Sequence, residues 1–198
     1  VREKKLHKQS VFTTFPQSCN FLLALSFAEK MGIKKSILLK SSNQFSLDDY
    51  RLEKIYEGSF FNIWQDSKAT NLGAVLGALK SMNGRIFWIG GGASKGTSLK
   101  KFAEEIAPFV DRVFTYGSVG ESLARHFKNS SITAEYKKKL ADSIRLCVRN
   151  LMLEGGKERI DVLFSPGFSS LDQFSSYNER GKLFEKAVFS LLKEYYCL

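Results

Sequence analysis

The chain has 198 residues, of which 43% are hydrophobic and 25% are charged. These proportions are typical of a globular protein of one domain or slightly more, and they exclude a disordered or fibrous chain. No apolar run approaches the roughly 20 residues of a membrane span, and no small-residue cleavage site follows the apolar segment 19–33. We therefore expect neither a membrane partner nor a signal peptide.

The net charge of +10 raises the question of nucleic-acid binding. The lysines are dispersed, however, and most stand beside acidic residues at helical spacing, as on a solvated helix face. We therefore expect no nucleic-acid partner and interpret the charge as a general affinity for anionic ligands. The alternative is a non-catalytic module whose basic surface binds nucleic acid or a protein partner, and it predicts strongly salt-dependent binding.

The cysteines and histidines give no sign of a metal or disulfide site. Cys19, Cys147 and Cys197 are odd in number, widely spaced and flanked by apolar residues, so free thiols in a reducing cytoplasm are the simplest interpretation. His7 and His126 are isolated in the sequence, and we predict surface positions without a catalytic role for both.

Hydrophobic periodicity, with glycine and proline as breaks, predicts the elements of the first part of the chain. In chain order these are a helix over 17–31 ended by Gly32, a mixed segment with a polar loop, two strands over 50–58 and 59–67 that form a hairpin, and a helix over 71–82 capped by Thr70 or Asn71. The change of pattern near residues 40–50 indicates a domain boundary.

The rest of the chain alternates strands with helices. The predicted strands cover 85–91, 111–117 and 159–165, and the predicted helices cover 98–108, 118–127, 135–154 and 181–195. The three strands are apolar on both faces, which indicates a mostly parallel sheet covered by helices. We therefore predict an α/β, Rossmann-like domain over 46–198, preceded by a short helical piece, 1–45, that comes from another domain.

Three polar loops follow predicted strands, at 66–71, 91–96 and 165–174. In open α/β sheets ligands bind outside the carboxyl ends of the strands, so we expect these loops to meet at one edge. The glycine-rich loop is not a Walker A motif, because its lysine precedes the second glycine. We interpret Lys95 as a cation held on a glycine turn beside a helix N-terminus, where it could bind a carboxylate or a phosphate.

The stretch "DSKATN" (66–71) has two interpretations. In the functional one, Asp66 accepts hydrogen bonds from ribose hydroxyls, Lys68 meets a phosphate, and the backbone at Thr70 and Asn71 attracts anions. In the structural one, Thr70 or Asn71 is simply a helix N-cap.

"DSKATN", "GGASKG" and "LFSPGFSSLDQFSSYNERGKLFEKAV" together resemble the C-terminal domain of the Mur ligases, in order over about 50–195. Residues 14–33 resemble the end of the central ATP-binding domain of that family, and Tyr50-Arg51-Leu52-Glu53 resembles its His-Arg-x-Glu signature. The tract 66–71 resembles the branch of the family that adds D-glutamate.

The resemblance implies an ATP-dependent ligase that joins D-glutamate to UDP-N-acetylmuramoyl-L-alanine in peptidoglycan precursor synthesis. It implies that Thr70, Lys95, Ser170 and Tyr177 bind D-glutamate and that Asn20, Arg51, Asp66 and Lys68 bind ATP. ATP and Mg²⁺ are the implied cofactors, with the Mg²⁺ ligands mainly outside this chain. No catalytic residue and no metal ligand is assigned within it.

Five positions depart from the family pattern, namely Pro16, Gln17, Tyr50, Ser94 and Ser98. The chain also begins at valine and has no phosphate-binding loop of the type G-x-x-x-x-G-K-[ST]. We interpret it as a catalytically incomplete fragment, monomeric and cytoplasmic, whose partners are the N-terminal and central domains of the same enzyme. The alternatives are another Mur or folylpolyglutamate-type ligase and a degenerate, inactive relative.

Overall fold

The computed structural model describes residues 10–13, 16–46, 48–156 and 158–196. The predictions for His7 and Cys197 lie outside these residues. The chain divides into two compact units between Asp49 and Tyr50. The assignment of 1–45 to the end of a central ATP-binding domain, and of 46–198 to a C-terminal domain, stays a prediction.

The first unit is helical. A short 3₁₀ turn, Val11–Thr13, is followed by α1 (Gln17–Lys30) and α2 (Lys35–Ser42). The predicted first helix is confirmed. It ends at Lys30, and Gly32, just after the C-cap residue Met31, has a positive φ of 77°, as is common where a helix ends. The sequence did not predict α2, because its mixed polar and apolar residues give only a weak amphipathic pattern.

The second unit is built on one six-stranded sheet. Its strands are β1 (Glu53–Glu57), β2 (Phe61–Gln65), β3 (Arg85–Gly91), β4 (Arg112–Tyr116), β5 (Thr133–Lys137) and β6 (Ile160–Gly167). Their order in the sheet is β1-β2-β6-β3-β4-β5. Only β1 is antiparallel to its neighbour, as the predicted hairpin requires, and the other pairs are parallel. The predicted α/β, Rossmann-like fold is confirmed.

Five helices cover the two faces of this sheet. They are α3 (Leu72–Leu79), α4 (Leu99–Ile106), α5 (Gly120–Asn129), α6 (Leu140–Leu153) and α7 (Tyr177–Tyr196). One apolar cluster joins α3, α4 and α5 to one face, and the other joins α6 and α7 to the opposite face. None of the helices in the described ranges is long and apolar enough to cross a membrane.

Because an apolar cluster covers each face of the sheet, the sequences of the central strands are continuously apolar. On β3, Phe87 and Ile89 point into one cluster, and Ile86 and Trp88 point into the other. Every residue of β6 is buried, because this strand lies between β2 and β3 and has helices on both faces. The indole N–H of Trp88 donates to the carbonyl of Ser165 at 2.9 Å, so its polar group is satisfied inside the core.

The helix predicted over 135–154 is wrong in its first part. Residues 133–137 form β5, the edge strand beside β4, and α6 begins only at Leu140. An edge strand has few buried positions, and in β5 only Ala134 is buried. The following run of three lysines, 137–139, then gave this segment the charged pattern of a solvated helix. The last helix also begins earlier than predicted, at Tyr177.

Candidate functional site

The loops after β2, β3 and β6 lie at one edge of the sheet, because these strands are parallel. The Gly167 N–H donates to the Ala69 carbonyl at 3.0 Å, which joins the first loop to the third. Ala93 and Ser169 exchange two backbone hydrogen bonds, of 2.9 and 3.1 Å, which joins the second loop to the third. The three loops that the sequence places at one edge are therefore in direct contact.

Asp66 follows the last residue of β2 and is almost fully buried, with 6% of its surface exposed. Its Oδ1 accepts from the Leu52 N–H at 3.1 Å, and its Oδ2 accepts from the Ser165 hydroxyl at 2.8 Å. Burial raises the pKa of this carboxyl to about 6, while the two hydrogen bonds and the charge of Arg51 act in the opposite direction. Each oxygen keeps a lone pair that could accept from a ligand.

A tight turn holds Arg51 beside this carboxylate. Tyr50 and Leu52, on either side of it, have positive φ angles of 63° and 47°, which is uncommon for residues with a side chain. The turn is fixed by the bond from Leu52 to Asp66 and by a second bond, 3.1 Å long, from the Lys68 N–H to the Tyr50 carbonyl. Arg51 is exposed, so its guanidinium is accessible to an anion.

Tyr50 stands where the family pattern has histidine, and it packs against α7. Its ring lies so close to Gly181 that a Cβ there would come within 2.8 Å of the Tyr50 Cδ1. Glycine within a helix is normally unfavourable, so this close approach explains the glycine at position 181. The tyrosine therefore has a packing role in this chain.

The structure also brings Lys68 and Tyr177 together. The Lys68 ammonium lies 5.6 Å from the centroid of the Tyr177 ring, within the range of a cation–π contact. The hydroxyl of Ser67 donates to the Tyr177 carbonyl at 2.8 Å. Thr70 is partly buried, and Asn71 is the N-cap of α3, with its side chain accepting from the Ala74 N–H at 2.9 Å.

The glycine loop presents Lys95 to solvent. Residues 94–98 are all exposed, so the Lys95 ammonium is accessible to a ligand. Ser94, one of the departures from the family pattern, accepts a hydrogen bond from the Gly96 N–H at 3.1 Å. Ser98, another departure, is the N-cap of α4 and accepts from the Lys101 N–H at 3.4 Å. Both serines therefore have local structural roles that an aspartate could also fill.

Ser170 is buried, with 5% of its surface exposed. Its carbonyl accepts from the amides of Gln173 and Phe174, at 3.2 and 2.9 Å, which closes a turn before α7. Ser170 follows Ser169, which is bonded to Ala93 of the glycine loop. The base of the glycine loop is thus beside Ser170, while the exposed Lys95 extends beyond it.

Asn20 lies on α1 in the first unit, and its amide donates to the Gln17 side chain at 3.0 Å. Its predicted role in binding ATP stays a prediction, as do those of Arg51, Asp66 and Lys68. The predicted contacts of D-glutamate with Thr70, Lys95, Ser170 and Tyr177 also stay predictions.

Sequence reasoning missed Arg180, which is fully buried on α7. Its guanidinium donates to the hydroxyl and the carbonyl of Ser67, at 3.1 and 2.7 Å. It also donates to the carbonyl of Phe168 at 3.0 Å and to the hydroxyl of Tyr116 at 3.4 Å. The predicted last helix began at residue 181, so Arg180 lay in the preceding polar segment, where an arginine is normally solvated. The only sequence signal was its place in the "ERG" of the third motif.

A cavity of about 540 Å³ lies beside the three loops, at the carboxyl ends of β4 and β5. Tyr136, Leu140, Phe174 and Leu183 form its apolar lining, and Asp172 also lines it. None of the four residues predicted to bind D-glutamate lines the cavity, although the third loop contributes Asp172, Gln173 and Phe174 to it. Within the described ranges, no three His, Cys, Asp or Glu side chains are grouped so that they could hold a metal ion.

No family model matches the chain. The chain is 33% identical over 172 residues to a UDP-N-acetylmuramoylalanine–D-glutamate ligase from Chlorobium limicola, an alignment that covers 87% of this chain and 36% of that protein. The protein of the same name from Caldicellulosiruptor saccharolyticus is 32% identical over 191 residues, with 96% and 41% covered. The chain thus spans about two fifths of the length of these curated relatives.

Solved structures show the same fold at low sequence identity. A MurF from Acinetobacter baumannii is similar with a TM-score of 0.67 and 14% identity, over 89% of this chain and 38% of that one. A folylpolyglutamate synthase from Mycobacterium tuberculosis gives a TM-score of 0.63 and 16% identity, over 85% and 40%. At such identities the similarity supports the fold and does not separate one branch of these ligases from another.

Proposed function

We propose that this chain, a member of the Mur ligase family, corresponds to the C-terminal domain of that family and is part of a cytoplasmic ligase. That enzyme uses ATP to join D-glutamate to UDP-N-acetylmuramoyl-L-alanine. In this proposal the segment binds D-glutamate and part of ATP, and the rest of the active site belongs to the other domains of a monomeric enzyme.

The observation that carries the proposal is the contact among the three loops. Thr70 and Ser170 come from loops that are bonded to each other, and Lys95 extends from the loop joined to them at Ala93. Tyr177, the first residue of α7, is held against the first loop by the hydrogen bond from Ser67. Cations and hydroxyls on these loops, with Asp66 as a buried acid behind them, form an edge suited to an anionic ligand. D-glutamate, with its two carboxylates, is such a ligand.

The residues of this chain would act by binding and orientation. The Lys95 ammonium pairs with a carboxylate of D-glutamate, while the hydroxyls of Thr70 and Ser170 donate to its carboxylate oxygens. Tyr177, the first residue of α7, bounds the D-glutamate site on one side. This arrangement holds the D-glutamate amine at one position, so that its attack on the activated carboxyl becomes effectively intramolecular.

Arg51, Asp66 and Lys68 would hold part of ATP. Arg51 and Lys68 provide positive charge for the phosphates, and Asp66 has free lone pairs for the ribose hydroxyls. In the overall reaction the γ-phosphoryl group passes to the carboxylate of the acceptor, which gives ADP and an acyl phosphate. The D-glutamate amine then attacks the acyl carbon, and the tetrahedral intermediate expels phosphate to leave an amide.

Mg²⁺ would neutralise charge on the phosphates in this reaction. Because the described residues offer no cluster of metal-ligating side chains, we expect its ligands to come mainly from other domains. In that step this chain would contribute only positive charge for the phosphates, from Arg51 and Lys68.

Titration of the chain with D-glutamate, followed by NMR, tests the proposal. We expect shifts at the amides of Thr70, Ser170 and Tyr177, and weaker binding of L-glutamate. Lys95→Ala should weaken binding by about 2–4 kcal/mol, the value of a lost charge-assisted contact. Lys100→Ala, which removes an exposed lysine of α4, is the matched control and should bind normally.

A panel of other amino acids separates this proposal from another ligase of the family. Preference for a different amino acid at the same amides would assign the segment to another branch. Binding of no amino acid, together with salt-dependent binding of DNA or RNA, would support the basic binding module instead.

A further inference from the structure

We propose that Arg180 is a positioning residue that locks together the two loops that hold the amino acid. This inference rests on the proposed function for the identity of the ligand. The coupling of the two loops can be measured without any ligand.

The side chain of Arg180 forms hydrogen bonds to three separate segments of the chain. From α7 it donates twice to Ser67, in the loop after β2, and once to the Phe168 carbonyl, in the loop after β6. A fourth bond reaches the Tyr116 hydroxyl at the end of β4. A guanidinium presents five donors in a fixed plane, so a single side chain fixes three segments relative to one another.

The guanidinium is fully buried, and among the described residues no carboxylate lies within ion-pair distance of it. Burying an unpaired charge is costly, and all four hydrogen bonds of the guanidinium go to carbonyl and hydroxyl oxygens. If position 180 only had to pack against apolar groups, leucine or methionine would stabilise the helix more than arginine does. The three hydrogen bonds to loop atoms, with the fourth to Tyr116 of β4, are therefore the reason for an arginine.

Two of the three acceptor residues of Arg180, Ser67 and Phe168, lie close in the chain to a residue predicted to bind a ligand. Ser67 immediately precedes Lys68, and its hydroxyl also donates to the carbonyl of Tyr177. Phe168 lies two residues before Ser170. Arg180 therefore fixes the backbone under predicted binding residues in both loops, although its own fully buried side chain is closed to a ligand.

Two variants test this inference on the 198-residue chain. Arg180→Met keeps the apolar stem, and Arg180→Lys keeps the charge, but one ammonium cannot span the same acceptors. We expect both to weaken D-glutamate binding by about tenfold or more, the effect of losing hydrogen bonds to a charged donor. Lysine is expected not to rescue binding, because the fork geometry rather than the charge fixes the loops.

Val188→Ala is the matched control. Val188 is buried on the same helix, in the apolar cluster on the face covered by α6 and α7, so its truncation destabilises α7 without touching the loops. If this control weakens D-glutamate binding as much as Arg180→Lys does, Arg180 acts only through general stability and the inference is wrong.

Hydrogen exchange provides the ligand-free measurement. In both Arg180 variants the amides of Ala69 and Phe174, one in each loop, should exchange about tenfold faster or more. The Asp111 amide, bonded to Ile86 at the opposite edge of the sheet, should keep its rate. Unchanged exchange in the loops would overturn the inference, and so would faster exchange with unchanged D-glutamate affinity.

The two proposals fail in different ways. If the unaltered chain binds no D-glutamate, the proposed function is rejected, and the exchange rates alone then decide whether Arg180 couples the loops. Should Arg180→Met not fold, Arg180→Lys decides. Should neither fold, Ser67→Ala replaces them, because it removes only the hydroxyl links to Arg180 and Tyr177.

Discussion

Replacing Asp66 by asparagine should change how the stability of the protein depends on pH. Burial raises the pKa of Asp66 from 3.8 to about 6 in the folded state, whereas an unfolded chain exposes it to water. Between these values the folded state binds the proton more tightly than the unfolded state does. The contribution of Asp66 to the free energy of unfolding therefore falls as the pH rises from about 4 to about 6, and it is constant above that.

The difference between 3.8 and about 6 corresponds to about 3 kcal/mol. Asparagine does not titrate, so in Asp66→Asn the free energy of unfolding no longer falls by this amount as the pH rises. It can keep both contacts if its oxygen accepts from Leu52 and its amide donates to the Ser165 hydroxyl. Rearranging these bonds should cost about 1 kcal/mol. We therefore expect the variant to be more stable than the unaltered chain by about 2 kcal/mol at neutral pH, and slightly less stable near pH 4.

Urea unfolding at several pH values, followed by tryptophan fluorescence, measures this difference directly. Asp142→Asn, which removes an exposed carboxylate on α6, shows how much the loss of one negative charge contributes by itself. A difference between Asp66→Asn and the unaltered chain that stays constant from about pH 4 to about pH 7 would refute the reasoning. It would mean that the carboxylate is well solvated or otherwise stabilised in the folded protein.

Three further predictions concern stability and the accessibility of the two described cysteines. Gly92→Ala should destabilise the protein by about 2 kcal/mol or more in thermal unfolding, because φ is +133° and a Cβ would overlap the Ser169 carbonyl. Asn71→Ala removes the cap of α3 and should lower the free energy of unfolding in urea by about 1 kcal/mol. In peptide-resolved alkylation, the exposed Cys19 should react in the folded chain. Cys147 should react only after unfolding, because burial raises the pKa of its thiol well above the usual range.

The parts of the fold that the sequence predicts well are those where one local signal dominates. Strand β3 was evident because its residues are apolar on both faces, and the chain turn after it was evident from Gly91 and Gly92. Strand β5 was missed because an edge strand buries little and Lys137 and its neighbours give a helical charge pattern. The meeting of the three loops followed from the rule for parallel strands.

The part of the site that the sequence could not predict depends on contacts between distant segments. Ser67 and Arg180 are 113 residues apart, and nothing in the local pattern of α7 distinguishes a buried arginine from a solvated one. Likewise, the burial of Asp66 depends on Leu52 and Ser165, and the rise of its pKa appears only once these segments are packed together.

The central place of β6 has a consequence for how the protein is made. This strand is the last in the chain, yet it separates β2 from β3. Until the ribosome has released about residue 167, β2 has only its hairpin partner and the middle of the sheet is missing. Pairing across about a hundred residues is slow compared with forming a helix or a hairpin. A nascent chain therefore exposes open strand edges until β6 has emerged, and the edge proposed to bind the ligand forms in the same step that completes the sheet.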